Sequence, residues 1–179
     1  MPKSRIAGHS QVRSRAALLS YFSVSQAGTP LAPYAHMPPH DEPQPACAGL
    51  SVLVIDDNHY LRGVVRAILE HEGAVVLDAA SVGQAQTLLE SALPDAVITD
   101  LELRPEGRGG VLILEHVKRR SRSCPVLLLT GRSDEYEELC NIGFDEVLLK
   151  PTPTTALIGA ILAAIGRGRS DSSRETAAA

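Results

Sequence analysis

Four short apolar runs in this chain each end abruptly at a polar side chain, and that repeated pattern limits the folds open to it. Val52-Leu53-Val54-Ile55 runs into Asp56-Asp57, and Ala96–Thr99 into Asp100. Val126–Leu129 runs into Thr130, and Val147–Leu149 into Lys150-Pro151. Short runs that are apolar at every position, rather than at every second one, are strands buried on both faces, which is the condition inside a parallel sheet. Ala74–Leu77 supplies a fifth such run. Helical spacing fills the gaps between them. Leu61, Val64, Val65, Ile68 and Leu69 fall at i, i+3, i+4, i+7 and i+8, the stripe of a helix packed on a core. Strand and helix alternate every ~20–25 residues, so right-handed crossovers onto a parallel sheet are expected.

Local signals place the element ends. Gly73 stops the first helix, and Ser81-x-x-Gln84 opens the second as a capping box whose inner face is Ala85, Leu88, Leu89 and Ala92. Pro94 ends it. A third helix spans Val111–Arg120, with Lys118, Arg119 and Arg120 in its last turn, where the helix dipole favours cations. A fourth opens near Asp134-x-x-Glu137 and runs to about Asn141, closed by Gly143. Thr152-Pro153 reads as an N-cap with proline at N1, starting a helix through Leu157, Ile158, Ile161, Leu162 and Ile165.

The same reading divides the chain into three parts. Residues 1–50, with six prolines between Thr29 and Pro45, are expected to be disordered or linker-like, with a short helix conceivable over Gln11–Phe22. Residues 51–166 form the domain, and 167–179 a flexible tail. Net charge is −4, and between 51 and 165 acidic side chains outnumber basic ones, which argues against nonspecific nucleic-acid binding. No run approaches the ~18 apolar residues of a membrane span, and no secretory leader is evident, so a cytoplasmic protein is expected. Cys124 and Cys140 sit among apolar residues and read as small core hydrophobes.

The strand-end residues decide the chemistry. In an open α/β sheet the loops after the strands converge at the carboxyl edge, bringing Asp56, Asp57, Asp100, Thr130 and Lys150 together. Three carboxylates in one cleft repel unless a cation joins them. Hard oxygen donors at a wet edge suit Mg²⁺. A carboxylate left free is a nucleophile toward phosphorus, while a hydroxyl and an ammonium hold phosphoryl oxygens; these are the parts of phosphoryl transfer.

These motifs resemble the receiver domain of two-component response regulators over about Ser51 to Ile165. The resemblance rests on Val54-Ile55-Asp56-Asp57-Asn58, Thr99-Asp100-Leu101, Leu129-Thr130-Gly131 and Leu149-Lys150-Pro151. It implies a flavodoxin-like, doubly wound (βα)5 fold with a five-stranded parallel sheet in the order 2-1-3-4-5. It implies that Asp100 accepts a phosphoryl group from a histidine kinase or phosphotransfer protein. Asp57 would ligate Mg²⁺ directly, Asp56 through water, and Glu102 through its backbone carbonyl. Lys150 would bridge to Asp100 or its phosphate, Thr130 would bond the phosphoryl group, and Lys150–Pro151 is a candidate cis peptide. The output would be protein–protein contact with an unknown downstream target. No DNA-binding or catalytic output domain is expected, and a homodimer could form through the face made by the fourth helix, fifth strand and fifth helix.

Three departures from the family pattern stand out. The loop from Asp100 to Gly110 is about two residues longer than usual. Val147 occupies the place of the switch aromatic, with Phe144 nearby in sequence. By the resemblance Glu102 and Arg132, two residues past the acceptor and the threonine, would flank the phosphate, could pair, and are expected to tune hydrolysis of the aspartyl phosphate.

Blander readings of single residues, and rival functions, also fit parts of the pattern. Asp-Asp after a strand is commonly turn chemistry, and His59, His71 and His116 read as helix-surface residues. The Lys118–Arg122 cluster reads mainly as a solvated helix end. The rival functions are a small phosphatase or phosphotransferase with an aspartate nucleophile, for which Asp56-Asp57-Asn58 lacks the Asp-x-Asp spacing, and a receiver that only binds partners. A receiver fragment of a hybrid histidine kinase is a variant of the main reading.

Overall fold

In the computed structural model the described residues are 44–177, with side chains through residue 170. The expected helix at Gln11–Phe22 therefore lies outside them. Five strands, β1 (Ser51–Ile55), β2 (Val75–Ala79), β3 (Ala96–Thr99), β4 (Val126–Thr130) and β5 (Glu146–Leu149), form one parallel sheet in the order β2-β1-β3-β4-β5. Helices α1 (His59–His71), α2 (Val82–Ser91), α3 (Gly109–Arg120) and α4 (Tyr136–Ile142) make the crossovers, and α5 (Thr154–Ala177) follows the last strand. This is the flavodoxin-like arrangement, and the reversal of direction falls between β1 and β3.

Alternating strand residues feed two cores. Val52, Val54, Ala96, Ile98, Leu127 and Leu129 pack with Val65 and Leu69 of α1 and with Leu157, Ile158 and Ile161 of α5. Leu53, Ile55, Val97, Val126 and Leu128 face the other way, onto Val82, Ala85 and Leu89 of α2, Ile113 and Val117 of α3, and Leu139 of α4. Burying one Leu or Ile on this scale contributes about 1.5–3 kcal/mol. With both faces covered, the strands need apolar residues at every position, which is why they were legible.

Local signals acted largely as expected. Ser81 Oγ accepts from the Gln84 N–H (3.3 Å), and Gln84 Oε1 accepts from the Ala80 N–H (2.8 Å). Gly73 (φ 84°) and Gly143 (φ 113°) end α1 and α4 in the left-handed region, which strains any residue with a Cβ.

Other expectations change. β2 runs Val75–Ala79, one to two residues later than Ala74–Leu77, because register with β1 pairs Ser51 with Val75. Leu61 and Val64 are 41% and 58% exposed, leaving Val65 and Leu69 as the buried positions of α1. Their apolar character predicts core positions, but the helix turns them to solvent, as it does Tyr60, which is 74% exposed. Thr152 does not cap α5; its hydroxyl donates to the Leu149 carbonyl (2.6 Å), while the Pro153 carbonyl accepts from Leu157. The helix continues to Ala177, past the expected boundary at 166, since no proline interrupts it. At the other end the packed region begins before Ser51. Cys47 is fully buried, donates its N–H to the Glu72 carbonyl (2.8 Å), and joins the α1/α5 core.

Cys140 is exposed whereas Cys124 is buried, since Leu139 takes the inward position of the two-turn α4. Burial pushes the Cys124 thiol up to about 11. His116 is half-buried and its Nε2 has no hydrogen-bond partner. Lys118 is not simply solvated: it donates to Asp145 (2.7 Å) and to the Cys124 carbonyl (3.0 Å), pinning the end of α3 to the strands. No described helix is long and apolar enough to cross a membrane.

Candidate functional site

Three strands deliver the acidic residues and the lysine to one cleft. β1 ends in Asp56 and Asp57, and the turn after it is fixed by Asn58, whose Oδ1 accepts from the Tyr60 and Leu61 N–H groups (3.0 and 3.4 Å). Asp56 Oδ1 accepts from the Asn58 N–H (2.8 Å), and Arg62 donates to the Asp56 carbonyl (2.6 Å). β3 ends in Asp100, whose N–H donates to the Ile55 carbonyl (2.9 Å), so β1 and β3 present their carboxylates side by side. β5 ends in Lys150, whose N–H donates to the Thr130 carbonyl (2.8 Å) and whose peptide bond to Pro151 is cis.

The side chains converge. Carboxylate oxygens of Asp56, Asp57 and Asp100 all lie within 4.8 Å of one another. Lys150 Nζ bridges two of them, 2.7 Å from Asp56 Oδ2 and 3.1 Å from Asp100 Oδ1. Burial pushes the Asp100 carboxyl above the usual carboxylate range, Lys150 opposing and Asp56 reinforcing the rise. Asp57 moves the opposite way. The guanidinium of Arg104 donates to it at 2.6 Å and holds its carboxyl below the usual range. Asp56, Asp57, Asn58, Leu61, Asp100, Glu102, Arg104 and Lys150 line the cleft.

Thr130 is not among these lining residues. It is buried at the end of β4, and its hydroxyl accepts from the Arg132 N–H (3.1 Å). Glu102 and Arg132 meet at 2.9 Å, and Arg132 also engages Asp134 (3.2 Å) and Glu135, so the β3–α3 and β4–α4 loops are joined above the cleft. Val147 is buried with Phe144 and Leu139 in the α2–α3–α4 core.

Two residues that shape the site were not read from the sequence. A Cβ on Gly110 would lie 2.3 Å from the Asp100 carbonyl oxygen, so only glycine lets the start of α3 approach the loop after Asp100 this closely. The Gly109-Gly110 pair was visible, but its target was not. Arg104 was visible only as a member of a long loop, and no local signal aims its guanidinium at Asp57.

The donor set fits a hard divalent cation. Three clustered carboxylates with mixed exposure supply oxygens alone, and two of the three residues remain partly open to water. Phosphoryl transfer at Asp100 is the chemistry such an arrangement supports, with Lys150 opposite the carboxylate to receive charge.

Comparison with known proteins agrees with the fold. The profile of the response regulator receiver domain matches residues 52–162. The phosphate regulon transcriptional regulatory protein PhoB of Escherichia coli is 30% identical over 120 residues, 65% of this chain and 52% of that one. The chain thus spans about half the length of the curated relatives that head the comparison. An uncharacterized 14.6 kDa protein of Leptolyngbya boryana is 33% identical over 62% of this chain and 86% of its own. Among solved structures, a receiver domain protein from Clostridium thermocellum aligns with TM-score 0.61 and 30% identity, over 67% of this chain and 97% of that one. The receiver domain of a sensor histidine kinase from Pseudomonas aeruginosa, with a magnesium ion coordinated in its active-site cleft, aligns with TM-score 0.60 and 25% identity, over 66% and 99% of the two chains. With sheet order, strand-end residues and profile in agreement, the chain belongs to the response regulator receiver domain family of two-component signalling.

Proposed function

We propose that Asp100 accepts a phosphoryl group from a phosphohistidine on a histidine kinase or phosphotransfer protein. The observation that carries this is the three-carboxylate cluster bridged by Lys150, with Asp100 bordering an open cleft. In the step, an Asp100 carboxylate oxygen attacks phosphorus, the P–O bond forms as the P–N bond breaks, and the imidazole leaves with the electron pair. Mg²⁺, held by Asp57, by Asp56 through water and by the Glu102 carbonyl, would supply neutralisation of charge on the transferred group. Lys150 then turns from the carboxylate to the acyl phosphate, and Thr130 gives up its contact with the Arg132 N–H to donate to a phosphoryl oxygen. The Glu102–Arg132 pair spans the route by which water reaches the phosphoryl group and tunes its hydrolysis.

Leu61, Tyr60 and Val64 form an exposed apolar strip running from the cleft along α1, and the phosphodonor protein docks there. The signal leaves through protein contacts, with a homodimer through α4, β5 and α5 as one form. Val147 in the core offers no ring to swing, so coupling to that face runs through packing of the β4–α4 loop.

Incubation with acetyl phosphate and Mg²⁺ followed by intact mass tests the assignment. A gain of one phosphoryl group that disappears in Asp100→Asn is expected. Turnover of phosphate esters would favour the phosphatase reading, and an unmodified chain would leave a binding module.

A further inference from the structure

We propose that Arg104 is a tethered competitor for the metal position, occupying Asp57 when Mg²⁺ is absent and leaving it when the cation arrives. This rests on the Mg²⁺ reading above and adds a residue to it. Lys150 serves Asp56 and Asp100, and Asp57 is served instead by Arg104, Nε to Oδ2 at 2.6 Å. The guanidinium places a positive charge on the carboxylate that a cation would approach, so the two like charges repel and compete for it.

The loop is built to deliver this contact. Leu103 is fully buried and pairs with Gly107 in an isolated antiparallel bridge, its N–H donating to the Gly107 carbonyl at 3.0 Å. Gly107, at φ 71°, closes the hairpin in a conformation that disfavours other residues. The buried anchor therefore sits immediately before Arg104, and the extra loop length projects the arginine over the β1 end. Arg104 is 84% exposed while Asp57 is 19% exposed. An exposed arginine pays side-chain entropy to hold one pose and is screened by salt, so such a pair is weak. A weak pair neutralises Asp57 in the resting state and yields to a divalent ion at small cost. A buried partner would have blocked the position.

The test is calorimetric titration of MgCl₂ into the full chain and into Arg104→Met, which keeps most of the stem but removes the charge. The variant is expected to bind Mg²⁺ about threefold more tightly at low ionic strength, as loss of one exposed ion pair allows. The difference is expected to shrink in high salt, where the pair is screened. A second readout uses the unaltered protein. Its Arg104 Nε–H resonance in ¹H–¹⁵N spectra is expected to move with Mg²⁺ occupancy. Equal or weaker Mg²⁺ binding by Arg104→Met, or an Nε–H resonance indifferent to Mg²⁺, overturns the proposal. Equal affinities in a protein whose Asp100 still takes phosphate in a Mg²⁺-dependent way would remove Arg104 alone. No Mg²⁺ binding by either protein would remove the metal reading along with it.

Discussion

Asp95 and Asp100 bracket the same strand, and the sheet treats them in opposite ways. At the amino edge Asp95 accepts from both the N–H and the hydroxyl of Ser51 (2.9 and 2.8 Å) and pairs with Arg169 at 3.4 Å. Those donors, the Ser51 N–H first, hold its carboxyl below the usual range. Asp145 at the same edge is likewise matched, by Lys118 and by the Val126 N–H, both at 2.7 Å. At the carboxyl edge Asp100 is more buried, faces two further carboxylates and shares one lysine with Asp56, so its carboxyl is pushed up. The amino edge spends its carboxylates on joining strands. The carboxyl edge crowds them together, which disfavours the charged form of Asp100 and leaves room for a cation and a phosphoryl group.

The comparison can be broken most forcefully at Gly110. Gly110→Ala forces α3 away from the Asp100 carbonyl and should cost about 3 kcal/mol by urea unfolding, the upper range for overpacking, while slowing phosphorylation by acetyl phosphate. Next is Asp95→Ala, which strands the Ser51 N–H and should cost about 2 kcal/mol without altering phosphorylation. Because its folded carboxyl is depressed, the stability Asp95 contributes is present above pH ~4 and lost as pH falls through its folded value. The gap between wild type and Asp95→Asn should therefore close in acid.

Asp100→Asn should show the opposite sign and a smaller effect. A carboxyl raised on folding binds its proton more readily in the native state, so its unfavourable contribution appears as pH rises above ~4. The variant should be more stable than wild type at pH 7, with the advantage vanishing below that range. If it is instead less stable at pH 7, the contrast between the two edges does not hold. Smallest in stability are Glu102→Ala and Arg132→Ala, each within about 0.5 kcal/mol, as exposed pairs are. Their effect should appear in the lifetime of the aspartyl phosphate, and unchanged lifetimes would sink the tuning role.

What could be read in advance was what repeats locally. Both faces of each inner strand are covered, so the apolar runs were uninterrupted, and parallel crossovers put their ends on one edge. Asp56, Asp57, Asp100 and Lys150 followed from that geometry, whereas the pairing of Glu102 with Arg132 was expected only through the family resemblance. Leu61 and Val64 defeated the same reasoning, because helical spacing shows that a stripe exists but not how wide a stripe the sheet covers. Cys47 was missed because one buried residue in a proline-rich segment makes no period.

By itself, then, the sequence determined the alternation of elements, the parallel sheet and the identity of the groups at its carboxyl edge, since these depend on short-range periodicity and chain connectivity. Only the tertiary structure decided which group neutralises which. Lys150 reaching Asp56 across the sheet, Arg104 reaching Asp57 from an extended loop, and Gly110 closing on the Asp100 carbonyl are contacts between separate segments. Their energies depend on distance and burial, and neither quantity is written in the local pattern of residues.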